Sequence, residues 1–211
     1  MTKRLILLAG NIGAGKTSLT ERIGERLGYK TAYESVADNP YLPDFYENMR
    51  EWAFHLQIYF LGHRAEQHLH LANLPESAIL DRSIYEDALI FARALHHMRN
   101  LSDRDYHAYL RLYDLIVRGL PKPDLLIHLQ APVKVLMERI RRRARNIETA
   151  IDEGYLDLLD RFYREWIEGF DLCPVLTIRS DDLDFVHKSQ HLDIVVQRIK
   201  EKLSGREEMV F

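Results

Sequence analysis

An apolar run, Leu5–Ala9, leads directly into Gly10-Asn11-Ile12-Gly13-Ala14-Gly15-Lys16-Thr17-Ser18. Gly10 to Thr17 match the spacing G-x-x-x-x-G-K-[ST], and Leu19, Ile23 and Leu27 follow at helical intervals. A strand before and a helix after is the setting this spacing requires. Its glycines let backbone N–H groups turn toward phosphate oxygens, and the helix N-terminus adds partial positive charge. In such a cradle Lys16 is the point charge for the β- and γ-phosphates, and the Thr17 hydroxyl is a magnesium ligand. Gly10 through Ser18 (Gly10, Asn11, Ile12, Gly13, Ala14, Gly15, Lys16, Thr17, Ser18) are therefore the candidate donor-binding residues. A glycine turn that only packs is the alternative, and the strand-before, helix-after context argues against it. The motif predicts a bound nucleoside triphosphate, ATP or its like, with Mg2+. It leaves the phosphate acceptor open.

Apolar runs and helical patterns alternate along the rest of the chain. Thr31–Glu34, Ala78–Leu80, Leu125–Leu129 and Val175–Ile178 read as further strands. Gly28 reads as a helix stop, and Asn39-Pro40 and Pro121-Lys122-Pro123 as turns. Asp44 to Leu71 is predicted as one long helix, with Trp52, Leu56, Tyr59, Phe60 and His63 on one face. Further helices are predicted over Ile84–Leu95, from Ser102 or Asp103 to Val117, from Pro132 through Ile140, and over Tyr155–Phe170. Leu192, Val195, Val196, Ile199 and Leu203 mark a last one. This alternation predicts an α/β protein with the three-layer fold of P-loop NTPases, a five-stranded parallel sheet flanked by helices. A single domain over 1–211 is expected.

Composition narrows the function classes. The hydrophobic fraction is 46%, enough for one core, and the net charge of −3 gives no global argument for nucleic-acid binding. The longest apolar runs are too short to cross a membrane, and Met1–Ala9 lacks the length of a signal peptide. The single cysteine, Cys173, excludes an internal disulfide and a cysteine zinc site, so a reducing, cytoplasmic location is expected. Adjacent His96 and His97 do not share a helix face, and no histidine spacing suggests a metal.

The acceptor side is read from the other strand ends. Glu34 falls at the end of the second predicted strand and Asp81-Arg82-Ser83 at the end of the third. Parallel sheets bind ligands at the carboxyl ends of their strands, so these groups should converge on Lys16. A carboxylate near an acceptor hydroxyl can take its proton, and Asp81 is placed as a magnesium-supporting acid. Arg82 would neutralise the transferring phosphate or orient Glu34. A surface salt bridge is the plainer reading of an Asp-Arg pair, set aside here because of its position. Arg139, Arg141, Arg142, Arg143 and Arg145 crowd one helix end. A solvated basic face is the alternative to an arginine-rich lid over the triphosphate, placed at 141–150.

Taken together, Gly10–Ser18, Glu34 with Asn39-Pro40-Tyr41-Leu42, Trp52–Phe60, Asp81–Asp87 and Arg139–Asn146 resemble the deoxynucleoside kinases. The resemblance is to the bacterial deoxyadenosine/deoxycytidine and deoxyguanosine kinase group and covers nearly the whole chain. It implies an ATP- and Mg2+-dependent enzyme that phosphorylates the 5′-hydroxyl of a deoxynucleoside in nucleotide salvage, and a homodimer. It implies that Glu34 is the general base and that Gln57 pairs with the base edge. Arg64 and Asp87 would add base contacts, Tyr46 and Glu148 would hold the sugar 3′-hydroxyl, and Phe91 would stack on the base. Arg143 and Arg145 would be lid arginines, with Arg139 beside them at the donor, and residues 179–184 would touch the donor adenine. Ser35, where many relatives carry proline, and Ala144, where glycine is common, depart from the pattern.

The residues support part of this on their own. Gln57 and Arg64 are two helical turns apart and share a face, and an amide offers a donor and an acceptor side by side. Alone, Gln57 reads more readily as a structural amide, and the same-face Arg64 is what favours a base contact; Tyr46 and Phe91, without the resemblance, read as core aromatics. Charges at Arg64 and Asp87 suit the polar edges of adenine, cytosine or guanine better than the thymine methyl. The runner-up is a nucleoside monophosphate kinase of the thymidylate type, whose phosphorylated acceptor Glu34 would repel. A GTP-binding switch would need Asn-Lys-x-Asp and Asp-x-x-Gly motifs, which the chain lacks. A nucleic-acid module built on Arg139–Arg145 has no supporting basic stripe. Tyr106–Val117 and Ile84–Leu95 are the candidate dimer helices.

Overall fold

Strand β1 (Leu5–Gly10) is buried along its whole length in a computed structural model of the chain, which describes residues 2–33, 39–144, 151–186 and 188–205. Beside it run β3 (Ala78–Asp81) and β4 (Leu125–Gln130), flanked in turn by β2 (Lys30–Ala32) and β5 (Val175–Arg179). The order is β2-β3-β1-β4-β5, and every pairing is parallel. Successive side chains of a strand point to opposite faces, so β1 feeds two cores. Leu5, Leu7 and Ala9 pack into a layer with α3 (Met49–Asn73), α6 (Asp103–Val117) and α8 (Glu153–Glu168). Ile6 and Leu8 pack with α1 (Lys16–Leu27), α7 (Val133–Arg143) and α9 (Ser189–Ser204). This is the α/β sandwich expected from the sequence, and no helix among the described residues is long and apolar enough to cross a membrane.

Two expected elements differ. The long helix predicted from Asp44 is broken into α2 (Leu42–Glu47) and α3. Asn48 sits between them at φ −144°, ψ 83°, and its Oδ1 accepts the Glu51 N–H at 3.3 Å while its Nδ2 donates to Glu51 Oε2 at 2.9 Å. That reciprocal cap satisfies donors at the start of α3, and the apolar periodicity running across it conceals the break. The helix predicted over Ile84–Leu95 is continuous but not uniform. It runs as α4 (Ile84–Glu86), a π-helical stretch (Asp87–Ala92) and α5 (Arg93–His97). π-Helical turns of this kind widen a helix locally and occur at functional sites. Two smaller differences are that β2 begins at Lys30 and that Pro132 is the N-cap of α7 rather than its first residue.

The stretch Ile84–Leu95, one of the two candidate dimer helices, turns much of its apolar side to the chain's own core. Ile84, Ala88, Ile90, Ala92 and Leu95 are all buried, because this segment packs against α3, α6 and α8. Its apolar pattern is that of a core helix. In α6, by contrast, Leu112 and Leu115 are exposed.

Replacing the α3 cap, Asn48→Ala, should lower stability by about 1 kcal/mol in urea melts. An unchanged midpoint would show that α3 is held by packing alone.

Candidate active site

The turn after β1 is shaped by glycine. A Cβ on Gly10 would lie 2.4 Å from Leu129 O of the neighbouring strand, so only glycine permits β1 and β4 to stay this close. Gly15 caps α1 at φ 97°, a left-handed conformation that costs other residues strain. The loop thus directs its backbone toward the α1 N-terminus, where an anion is favoured. Lys16, largely buried, donates from Nζ to Gly10 O at 2.8 Å and to Asn11 O at 3.1 Å.

The end of β3 faces this loop. Thr17 Oγ1 donates to Asp81 Oδ2 at 2.6 Å. Asp81 Oδ1 is buried and has no hydrogen-bond partner among the described residues. A hydroxyl on one carboxylate oxygen, with the second oxygen waiting, suits a hard divalent cation that draws its other ligands from phosphate and water. No larger group of metal-ligating side chains exists among the described residues. Arg82 follows at φ 71°, and its guanidinium lies over the Phe91 ring at 4.3 Å from the centroid. A non-glycine residue held in this region is strained, and such strain clusters at functional sites.

One cavity of 460 Å³ joins these groups to the helical layer. Its lining includes Ile12, Gly13, Lys16 and Thr17 of the loop, Asp81 of β3 and Arg82 just after it, and Tyr46, Gln57, Asp87, Phe91 and Arg143. Gln57 is buried, and its Oε1 has no partner among the described residues. Arg64 stands behind the wall. Its Nε donates to Asp87 Oδ2 at 3.0 Å with both side chains out of water. The π-helical stretch carries both Asp87 and Phe91 to the cavity. Gly10, Asn11, Ala14, Gly15 and Ser18 shape the loop without lining the cavity. Arg139 is tied to Gly13 O, Ala14 O and Ser180, so it braces the loop to the end of β5. Glu34, Ser35, Arg145 and Glu148 lie outside the described residues, as does most of the expected lid.

The family model for deoxynucleoside kinases matches residues 6–204. The chain belongs to the deoxynucleoside kinase family. It is 37% identical over 197 residues to the deoxyadenosine/deoxycytidine kinase of Bacillus subtilis, covering 92% of this chain and 91% of that protein. It is 40% identical over 207 residues to a deoxyguanosine kinase of Lactobacillus johnsonii, covering 94% and 92%. The structure of deoxyadenosine kinase from M. mycoides with bound dATP superposes with a TM-score of 0.81 at 29% identity, covering 93% of this chain and 99% of that one.

Several residues of this kinase were not singled out by sequence reasoning. Leu42, Phe45 and Met49 from around the α2–α3 break line the cavity, as do Asp152 and Tyr155 at the start of α8. Their signal was hidden by the missed break in one case and by ordinary core chemistry in the other. Glu86 was quoted only inside Asp81–Asp87, although Ser83-x-x-Glu86 is a legible capping box. Ala144 ends α7 at φ 50°, a left-handed conformation that glycine adopts without strain.

His128 of β4 lies beneath the loop, with its ring stacked on Tyr163 at 5.7 Å. Burial, and then the Lys16 charge, push it from the ordinary 6.5 down to about 4. The unfolded chain therefore binds the proton more readily than the folded one. Stability from this residue is fully present above about pH 6.5 and drains away as the pH falls toward about 4. Urea melts at about pH 7.5 and about pH 5 should show that loss, and His128→Gln should flatten the difference. An equal slope in the variant would remove His128 as its source.

Proposed function

We propose that this kinase transfers the γ-phosphate of ATP to the 5′-hydroxyl of a deoxynucleoside whose base is adenine, cytosine or guanine. The observation that supports the reading is one cavity lined both by Ile12, Gly13, Lys16 and Thr17 of the loop and by Gln57 and Asp87, the latter paired with Arg64. Donor phosphates belong against the loop N–H groups and Lys16. Gln57 would meet the base edge with its amide, and Phe91 and Tyr46 would bound the base and sugar. The buried Arg64–Asp87 pair presents charge that a purine or cytosine edge can hydrogen-bond and a thymine methyl cannot. The relatives support this range, since they include deoxyadenosine/deoxycytidine, deoxyguanosine and deoxyadenosine kinases.

Phosphoryl transfer asks the protein chiefly for position and charge. Mg2+ held by Thr17 and Asp81 would neutralise donor phosphate charge. Glu34 is proposed as the base that takes the 5′-hydroxyl proton. Arg82, Arg143 and Arg145 are proposed to face the transferring phosphate, and Glu148 with Tyr46 the sugar 3′-hydroxyl. A monophosphate acceptor is disfavoured because Glu34 would repel its phosphate. A homodimer is proposed through the face of α6 that exposes Leu112 and Leu115. The single cysteine fits a reducing cytoplasm.

Steady-state assays with ATP and Mg2+ on the four deoxynucleosides should give turnover on deoxyadenosine, deoxycytidine or deoxyguanosine and little on thymidine. Glu34→Gln should lower kcat by about 10²-fold or more with substrate KM nearly unchanged. Full turnover in that variant would remove Glu34 from the mechanism.

A further inference from the structure

Glu86 exposes no surface, and its carboxylate accepts hydrogen bonds on both oxygens. Oε1 receives the Gly10 N–H at 3.2 Å and the Tyr163 hydroxyl at 2.7 Å. Oε2 receives the Ser83 N–H at 2.8 Å and the Ser83 hydroxyl at 3.1 Å. The sheet explains why a carboxylate is wanted here. β3 follows β1 only as far as the Leu8–Asp81 register, and the Arg82 N–H closes the ladder on Leu8 O at 2.9 Å. The chain then turns away, while β1 runs on to Gly10. Glu86 takes the N–H that the departing strand leaves behind.

The carbonyl side of the same residue is held too. Tyr163 Oη lies 2.9 Å from Gly10 O, and Lys16 Nζ donates to that same oxygen at 2.8 Å. Gly10 is thus held through its N–H by Glu86 and through its C=O by Lys16, while the Tyr163 hydroxyl shares its single proton between Glu86 Oε1 and that carbonyl. Tyr163 comes from α8, whose first turn lines the cavity at Asp152, Gly154 and Tyr155.

We propose that Glu86 and Tyr163 are positioning residues for the phosphate donor. They clamp both peptide groups of Gly10 and, through its shared carbonyl, set where the Lys16 ammonium stands. The clamp also fastens α8 to the phosphate loop, so the wall of the acceptor cavity and the donor cradle are aligned by one buried carboxylate. Neither residue touches a reacting atom. The inference rests on the kinase reading only in taking the loop's ligand to be the phosphate donor.

Tyr163→Phe keeps the ring stacked on His128 and removes only the hydroxyl. It should raise the KM for ATP about tenfold, the effect of one lost charge-assisted hydrogen bond. Affinity for a non-hydrolysable ATP analogue, measured by calorimetry, should fall by the same factor, with the deoxynucleoside KM within about twofold of wild type. Glu86→Gln should do more, because either orientation of the amide sets its NH2 against a backbone N–H, of Gly10 or of Ser83. A plug that served folding alone would lower kcat with the active fraction and leave both KM values in place. Unchanged donor KM and analogue affinity in Tyr163→Phe would overturn the clamp, as would equal rises in both KM values. Should Glu86→Gln not fold, Tyr163→Phe decides alone. If the wild-type chain phosphorylated no deoxynucleoside, the acceptor reading would fall, and the analogue titration would still decide the clamp.

Discussion

Charge taken out of water at the carboxyl edge of the sheet is the constraint around which this molecule is arranged. Lys16, Arg64 and Arg82 are buried there, and so are Asp81, Glu86 and Asp87. An isolated buried charge is costly, and only paired, hydrogen-bonded ones persist. The pairings are specific. Arg64 is matched to Asp87, Asp81 to the Thr17 hydroxyl, and Glu86 to the backbone of the phosphate loop. Arg82, held in a left-handed conformation, spreads its guanidinium on an aromatic face. The apolar strands beneath supply a rigid floor on which such an arrangement can be kept.

That arrangement suits phosphoryl transfer between two small molecules. The donor needs oriented N–H groups and a cation, and the loop has both. The acceptor needs a concave, mostly apolar cavity with a few fixed polar groups, and the layer of α3, the π-helical stretch and α8 lines one. The wider turn at Asp87–Ala92 places a carboxylate and an aromatic ring on the same wall. Family membership and geometry therefore point to one chemistry.

Much of this was legible in the sequence. Strand–helix alternation gave the layers, because fully buried strands read as apolar runs. The phosphate loop was legible because its glycines answer a backbone requirement, visible at Gly10 and Gly15. Asp81 and Arg82 were found from their place at a strand end. The break at Asn48 was not, because hydrophobic periodicity continues through it and a cap is a local hydrogen bond that periodicity does not sense. The π-helical stretch was missed for a related reason, as no composition distinguishes it from an α-helix. Ile84–Leu95 shows that an apolar helix looks alike in sequence whether it meets a partner or, as at Ile84, Ala88 and Ile90, its own core. Arg139 shows the limit for charge clusters. Its sequence neighbourhood suggests a donor ligand beside the lid, and its contacts to the loop carbonyls and Ser180 add a bracing role that a charge cluster does not reveal.

The most direct test of the central claim is a crystal structure with a deoxynucleoside and a non-hydrolysable ATP analogue bound together. The account predicts the base edge against Gln57 beside the Arg64–Asp87 pair, the 5′-hydroxyl directed to the phosphate loop, and the analogue's phosphates on the N–H groups around Lys16. A base lodged elsewhere, or a 5′-hydroxyl turned away from the loop, would contradict it.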